Sequence, residues 1–141
     1  TLHCGLSCFN KIEVEDLTKH KMDSEQMTIS AKACELVNKA KPTGHRVLAV
    51  GATVAKATET AVGTDGLLKE YDGWTSKFIF PPYNFNMADN MLINFYHPES
   101  TMLMLTCAFG GYDLVMEAYN IATKHDYRFG CFGDSLLILN D

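Results

Sequence analysis

A short apolar run, a glycine and a helix-forming segment follow one another in the middle of this chain and constrain its fold. Residues 46–50 read RVLAV and are bounded by turn signals, which is typical of a buried parallel strand. Gly51 and Thr53 come next, and the pattern predicts a helix through about Ala61. A strand, a tight turn and a helix start in this order hold anions in many α/β proteins, although the segment has neither a G-x-G-x-x-G nor a Walker pattern.

Apolar residues elsewhere recur at intervals of two or of about four, as expected where strands and helices alternate. We therefore expect an α/β fold, a layered sheet with flanking helices. Strands are predicted at residues 2–4, 12–14, 27–29, 46–50, 77–80 and 136–139, and a surface loop at 63–74. Further helices are predicted after Ser30, near Pro98 and after Gly111.

The segment from Pro98 to Thr101 is a predicted helix start. Proline suits the first helical turn, and Glu99, Ser100 and Thr101 complement unpaired amides and the positive end of the helix dipole. Such residues can simply cap a buried helix, or they can also hold an anion or a polar ligand. We expect this turn and the turn at Gly51 to face a common hollow in which a nucleoside could bind.

The composition suits one compact domain over residues 1–141, since 47% of the residues are hydrophobic and 21% are charged. Its longest uncharged apolar stretch, residues 102–109, is far shorter than the ~20 residues that span a bilayer. The start of the chain lacks a basic segment followed by an apolar one. We therefore predict a cytoplasmic protein without a membrane partner.

The formal net charge of −5 predicts a surface that repels polyanions as a whole, so any contact with nucleic acid must be local. One modest basic cluster, Lys39, Lys41, His45 and Arg46, stands where a predicted helix leads into a strand. It either complements that helix's dipole or makes a local contact with an anion.

The five cysteines are odd in number and scattered, which argues against a disulfide framework. Cys4 and Cys8 have the spacing of half an iron–sulfur motif, but no third cysteine follows at short range, so we expect no metal site. Cys34 and Cys107 lie in helical apolar patterns and are predicted core residues.

Several segments in order along the chain together resemble the S-adenosylmethionine:tRNA ribosyltransferase-isomerase family of queuosine biosynthesis. They are TLHCGLSCF, HKMDSE, RVLAVGATVAKATE, FIFPPYNF, NFYHPESTMLMLTCAFGG and YRFGCFGDSLLIL. The resemblance covers nearly every residue, and PESTMLML with AFGG is its strongest block.

The resemblance implies transfer and isomerisation of the ribosyl unit of S-adenosylmethionine onto a 7-aminomethyl-7-deazaguanine base in tRNA. Adenine and methionine are released, the product is epoxyqueuosine, and no metal or other cofactor is required. The implied fold is a larger α/β domain interrupted by a small β-barrel, of which this chain resembles the part after the barrel. The chain is therefore expected to be a C-terminal fragment, inactive in isolation, of a protein whose oligomeric state the sequence leaves open.

The resemblance also implies site residues. Three polar side chains are candidates for catalysis, and nine residues are candidates for substrate binding. The catalytic candidates are His20, Glu25 and His97. The binding candidates are Gly51, Thr53, Lys56, Tyr83, Glu99, Ser100, Thr101, Arg128 and Asp134.

Departures from the family pattern leave a second function open. Lys56 stands where the family has arginine, and it loses the planar, two-pronged donor. Tyr96 and His97 replace the family's histidine and leucine, so that the imidazole moves by one position. Leu6 obstructs a backbone approach that a smaller residue would permit. A divergent, non-catalytic paralogue that binds an adenosyl ligand or RNA is the alternative.

Overall fold

A computed structural model describes residues 1–140, apart from the side chains of Ser7 and Phe9; Asp141, the last residue of the predicted domain, lies outside the described residues. The elements in chain order are β1 (Glu25–Ile29), α1 (Ala31–Ala40), β2 (Leu48–Val50), α2 (Ala52–Ala61), β3 (Tyr71–Thr75), β4 (Asn90–Asn94), α3 (Thr101–Gly110), α4 (Tyr112–Lys124) and β5 (Ser135–Leu139). Short 3-10 turns cover Leu6–Phe9, Leu17–Lys19 and Lys41–Thr43.

The strands form two sheets, with helices between and beside them, so the predicted α/β fold is confirmed. β1 and β3 pair antiparallel. In the second sheet β4 is central, with β2 parallel on one side and β5 antiparallel on the other. Because β2 and β4 run parallel, their carboxyl ends meet at one edge of the sheet, and the chain continues from that edge into α2 and towards α3.

One face of the three-stranded sheet supplies the main core. Ala49, Met91 and Ile138 occupy neighbouring positions on β2, β4 and β5 and are buried with residues of α2, α3 and α4. The opposite face carries apolar residues as well: Leu48, Val50, Leu137 and Leu139 are exposed, and Leu92 of the central strand is half-buried. The parallel pairing of residues 48–50 is confirmed, whereas the expectation of a buried strand is wrong for Leu48 and Val50, because the helices within residues 1–140 cover the face that carries Ala49.

The helix predictions hold well. Ser30 caps α1 by accepting a hydrogen bond from the Ala33 amide at 3.3 Å, and Gly111 precedes α4. The expected place of Pro98 is wrong: α3 begins at Thr101, so the proline lies in the turn before the cap residue Ser100. Cys34 and Cys107 are buried, as predicted. No helix of residues 1–140 is both long and apolar enough to cross a membrane.

The strand predictions fail where pairing partners decide the outcome. The expected loop at 63–74 contains most of β3, which pairs with β1 although its Asp72 and Gly73 are not typical of a strand. Residues 77–80 are not a strand, because they pair with no strand of residues 1–140; the Phe78 ring packs on His20 and Phe80. Residues 12–14 and 2–4 also form no strand; only isolated bridges join Lys11 to Ser100 and Leu2 to Met27. The central strand β4 was not predicted, and strands β1 and β5 were.

Candidate functional site

A cavity of about 350 Å³ lies at the edge of the sheet where β2 and β4 end. Thr53 of the first turn of α2 and Ser100 at the start of α3 both line it. The expected common hollow therefore exists. Its lining residues are Cys4, Cys8, Thr53, Asn94, Tyr96, His97, Ser100, Met102, Gly130 and Cys131.

The start of α2 is held by the backbone and not by a side-chain cap. Gly51 adopts a φ of 100°, which favours glycine, and its amide donates a hydrogen bond to the Leu92 carbonyl at 2.8 Å. Burial raises the pKa of the Tyr96 hydroxyl, while a hydrogen bond with the Ala52 amide lowers it by less. Tyr96 is therefore protonated at neutral pH and can donate a hydrogen bond at the start of α2.

The start of α3 is capped by its own side chain. Ser100 Oγ accepts a hydrogen bond from the Leu103 amide at 3.1 Å. Thr101 is buried, and its Oγ1 has no hydrogen-bond partner within residues 1–140. Glu99 has a φ of 61° and forms an exposed ion pair with Lys11 at 3.1 Å. Of the three predicted binding residues here, only Ser100 lines the cavity.

A fixed turn over residues 128–134 forms another wall. The Arg128 amide donates to Asp134 Oδ2 at 2.7 Å, and the Arg128 guanidinium lies 3.4 Å from Asp134 Oδ1. The amide and then the guanidinium of Arg128 lower the pKa of Asp134. The turn places Gly130 and Cys131 on the cavity, next to His97. Arg128 and Asp134 thus shape the wall without lining it.

Two predicted site residues, Glu25 and Lys56, form a buried ion pair beside the cavity. Each is about 2% exposed, and the Lys56 ammonium donates to Glu25 Oε2. Glu25 Oε1 also accepts from the Gly5 amide at 2.7 Å and from Cys8 Sγ at 3.4 Å. Burial acts to raise the pKa of Glu25, but Lys56 and the Gly5 amide more than offset it, so the pKa is lowered. Glu25 is therefore ionised, and its two carboxylate oxygens accept hydrogen bonds from Lys56, Gly5 and Cys8.

Cys4, Cys8 and Glu25 bring their possible ligand atoms within 4.8 Å of one another. The sequence predicted no metal here, because only the two thiols are close in sequence. The arrangement suits a cation poorly, since the Lys56 ammonium already occupies Glu25. Burial, followed by the charge of Glu25, also raises the pKa of the Cys8 thiol to about 11, which disfavours the thiolate that a metal needs.

Tyr83 and His20 lie away from the cavity. The Tyr83 hydroxyl donates to Glu59 Oε2 at 3.0 Å, and Glu59 also accepts hydrogen bonds from Asn86 and Met87. Tyr83 lines a different cleft, of about 640 Å³. The His20 ring packs on Phe78 with ring centroids 4.8 Å apart. Within residues 1–140, the cavity thus brings together His97, Thr53 and Ser100 of the predicted set, with Gly51 at the α2 start.

Two cavity residues, Asn94 and Tyr96, are not among the candidates predicted from the sequence. Tyr96 occupies the position of the family's histidine, which is a signal for a site residue, and it lines the cavity together with His97. Asn94 ends β4, a strand that was not predicted, so nothing in the pattern marked its position at the edge of the sheet.

The comparisons with known proteins agree with this architecture. A family model described as "Queuosine biosynthesis protein" matches residues 1–138. The chain is 64% identical over 140 residues to the S-adenosylmethionine:tRNA ribosyltransferase-isomerase of Phocaeicola vulgatus, and 46% identical over 138 residues to that of Clostridioides difficile. These matches cover 99% and 98% of this chain but only 40% of each relative, so the chain spans about two fifths of their length.

A crystal structure of S-adenosylmethionine tRNA ribosyltransferase from Thermotoga maritima is similar in fold. Its TM-score is 0.77 at 41% sequence identity, and the match covers 82% of this chain and 40% of that one.

Proposed function

The chain belongs to the queuosine biosynthesis protein family, and on that premise we propose that the whole protein containing it is an S-adenosylmethionine:tRNA ribosyltransferase-isomerase. In this proposal the ribosyl unit of S-adenosylmethionine is transferred and isomerised onto a 7-aminomethyl-7-deazaguanine base of tRNA, giving epoxyqueuosine. S-adenosylmethionine serves as a substrate, no further cofactor takes part, and the reaction occurs in the cytoplasm. Residues 1–141 are then a C-terminal part of one α/β domain.

The observation that carries the proposal is the convergence of two helix starts on one cavity. Thr53 of α2 and Ser100 of α3 line it from different sides, and helix starts favour anionic and polar ligands. A cavity of about 350 Å³ is within the range of small-molecule sites. A nucleoside with ribose hydroxyls and a carboxylate-bearing methionyl group matches both the size and the polarity.

The cavity residues suit two tasks of the reaction. Departure of adenine needs a hydrogen-bond donor, and the protonated Tyr96 hydroxyl supplies one. A base must remove a proton near the aminomethyl group, and His97 is the histidine that lines the cavity. Glu25 and Lys56 hold the Gly5–Cys8 turn in position, so we assign them a positioning role.

One observation favours the alternative, a non-catalytic paralogue that binds an adenosyl ligand or RNA. Glu25, a predicted catalytic residue, is neutralised by Lys56 and does not line the cavity formed by residues 1–140. Such a protein would keep the cavity and bind the ligand, but it would release no adenine.

Adenine release separates the two functions. The whole protein is incubated with S-adenosylmethionine and tRNA carrying 7-aminomethyl-7-deazaguanine, and free adenine is measured by chromatography. We expect adenine in proportion to modified tRNA. Binding of S-adenosylmethionine without adenine would support the paralogue, and absence of both would refute the proposal.

A pair of matched variants tests the cavity itself. Ser100→Ala and Ser30→Ala each remove a helix cap and should each cost about 1 kcal/mol of stability. Only Ser100 lines the cavity, so only Ser100→Ala should weaken binding of S-adenosylmethionine, measured by calorimetry. Equal affinities of the two variants would contradict this assignment of the ligand.

A further inference from the structure

A basic cleft of about 670 Å³ lies in the segment between Asn10 and Lys21. Three of the chain's 12 lysine and arginine residues line it, although the chain carries a net charge of −5. The only acidic residue in this lining is Glu13. The complete lining is Asn10, Lys11, Glu13, Val14, Lys19, His20 and Lys21.

The lysines of this cleft are available to an anion. Lys11 and Lys19 form ion pairs with Glu99 and Asp16, but their side chains remain 73% and 75% exposed. Exposed pairs of this kind contribute little and exchange readily with other partners. Lys21 has no ion-pair partner among residues 1–140. A polyanion could therefore engage these lysines without breaking buried contacts.

The cleft adjoins the cavity through a shared piece of backbone. Lys11 forms a β-bridge with Ser100, and the Ile12 amide donates to the Glu99 carbonyl at 2.9 Å. Lys11 lines the cleft, and Ser100 lines the cavity. A chain bound along the cleft would therefore run beside the start of α3.

Packing fixes the backbone that carries the lysines. Asp16 accepts a hydrogen bond from the Thr18 amide at 3.0 Å and caps the 3-10 turn Leu17–Lys19. Next along the chain, the His20 ring packs on Phe78, which itself packs on Phe80. Lys19 and Lys21 therefore flank a residue that aromatic contacts hold in place, which lowers the entropic cost of aligning them with phosphates.

We infer that the cleft between Asn10 and Lys21 binds the phosphodiester backbone of the tRNA next to the nucleotide that enters the cavity. This inference rests on the proposed function and adds the location of the phosphate contacts. Lysines act on phosphates as point charges, and such contacts position a nucleic acid without reading its sequence. His20 then belongs to the tRNA contact surface.

The test compares two double variants of the whole protein with the same change in charge. Lys19→Gln with Lys21→Gln removes two lysines of the cleft, and the control variant, Lys32→Gln with Lys124→Gln, removes one exposed lysine from each of α1 and α4. The tRNA dissociation constant is measured at several salt concentrations. Each lost phosphate contact should make the slope of the logarithm of the tRNA association constant against log salt less steep by about 0.7 to 0.9. At about 0.15 M salt this corresponds to roughly a 5-fold loss of affinity per lysine.

We expect the cleft variant to bind tRNA about 20-fold more weakly than the control variant, from two such contacts. Its affinity for S-adenosylmethionine in the absence of tRNA should stay unchanged, because neither lysine lines the cavity. Equal salt slopes for both variants, in a protein whose wild type releases adenine, would overturn the inference alone. A wild-type protein that neither binds tRNA nor releases adenine would overturn the proposed function and this inference with it.

Discussion

Two buried glutamates each fasten a loop to the rest of the molecule, and they do so with different chemistry. Glu25 is paired with the Lys56 ammonium and holds the turn that begins at Gly5. Glu59 has no lysine or arginine partner within residues 1–140 and holds the loop from Tyr83 to Met87 by neutral donors. Lys56 and Glu59 belong to α2, so one helix supports both loops.

The difference shows how the same carboxylate can be stabilised in two ways. Glu25 depends strongly on one charge, so removing that charge leaves a buried carboxylate with only two weaker donors. Glu59 accepts hydrogen bonds from two backbone amides, the Asn86 side chain and the Tyr83 hydroxyl. We therefore expect the turn that begins at Gly5 to be strongly destabilised by the loss of Lys56 alone. The loop from Tyr83 to Met87 should lose stability in smaller steps, one hydrogen-bond donor at a time.

Lys56→Met should have the largest effect. It leaves Glu25 buried without its cation, so we expect the free energy of unfolding to fall by about 3–5 kcal/mol, measured by urea denaturation. Lys39→Met is the control, because its pair with Glu35 is exposed and should contribute less than about 1 kcal/mol. Similar losses in both variants would remove the distinction between the two glutamates.

Glu59→Gln should have a smaller effect. The side chain keeps one carbonyl oxygen for the two backbone amides but replaces the other acceptor with a donor that faces Tyr83 and Asn86. We expect a loss of about 1–3 kcal/mol in the same measurement. The exposed Glu117→Gln should stay within about 0.5 kcal/mol of wild type, and a Glu59→Gln loss as large as that of Lys56→Met would contradict the comparison.

Lowering the pH should remove the contribution of Glu25 to the free energy of unfolding. Its folded-state pKa is lowered, so its contribution to stability is complete above the unfolded-state pKa of about 4.3 and is lost as the pH falls through the folded-state value. A carboxyl carbon titration by NMR should show Glu25 ionised below that pH. A midpoint above the usual glutamate range would show that burial outweighs Lys56.

Tyr83→Phe should have the smallest effect, about 1 kcal/mol at neutral pH, because it removes one of the four hydrogen bonds to Glu59. Burial, then the Glu59 charge and hydrogen bond, raise the pKa of Tyr83. Its contribution is therefore complete below the ordinary tyrosine pKa of about 10 and is lost as the pH rises further. The variant should lose less stability than wild type between pH 9 and about 11; equal losses would exclude Tyr83 as the cause.

The sequence predicted the shared cavity because a local pattern determines where each helix starts. Gly51 after a strand and Ser100 before an apolar run each mark a helix start in the sequence. The parallel pairing of β2 and β4 places these two helix starts at one edge of the sheet. The ion pair of Glu25 and Lys56 could not be predicted from a local pattern, since it joins residues 31 positions apart. Strand β3 was hidden because its Gly73 and Asp72 match no strand pattern and gain stability only beside β1.

The outward face of the three-stranded sheet has a practical consequence for handling this polypeptide. Leu48 and Val50 of β2 and Leu137 and Leu139 of β5, the two outer strands of this sheet, are each between 47% and 63% exposed. A water-facing aliphatic surface of this kind promotes self-association and dye binding. Threonine at these four positions would keep the preference for extended backbone while making the surface wettable, and so would suit samples prepared for spectroscopy at high concentration.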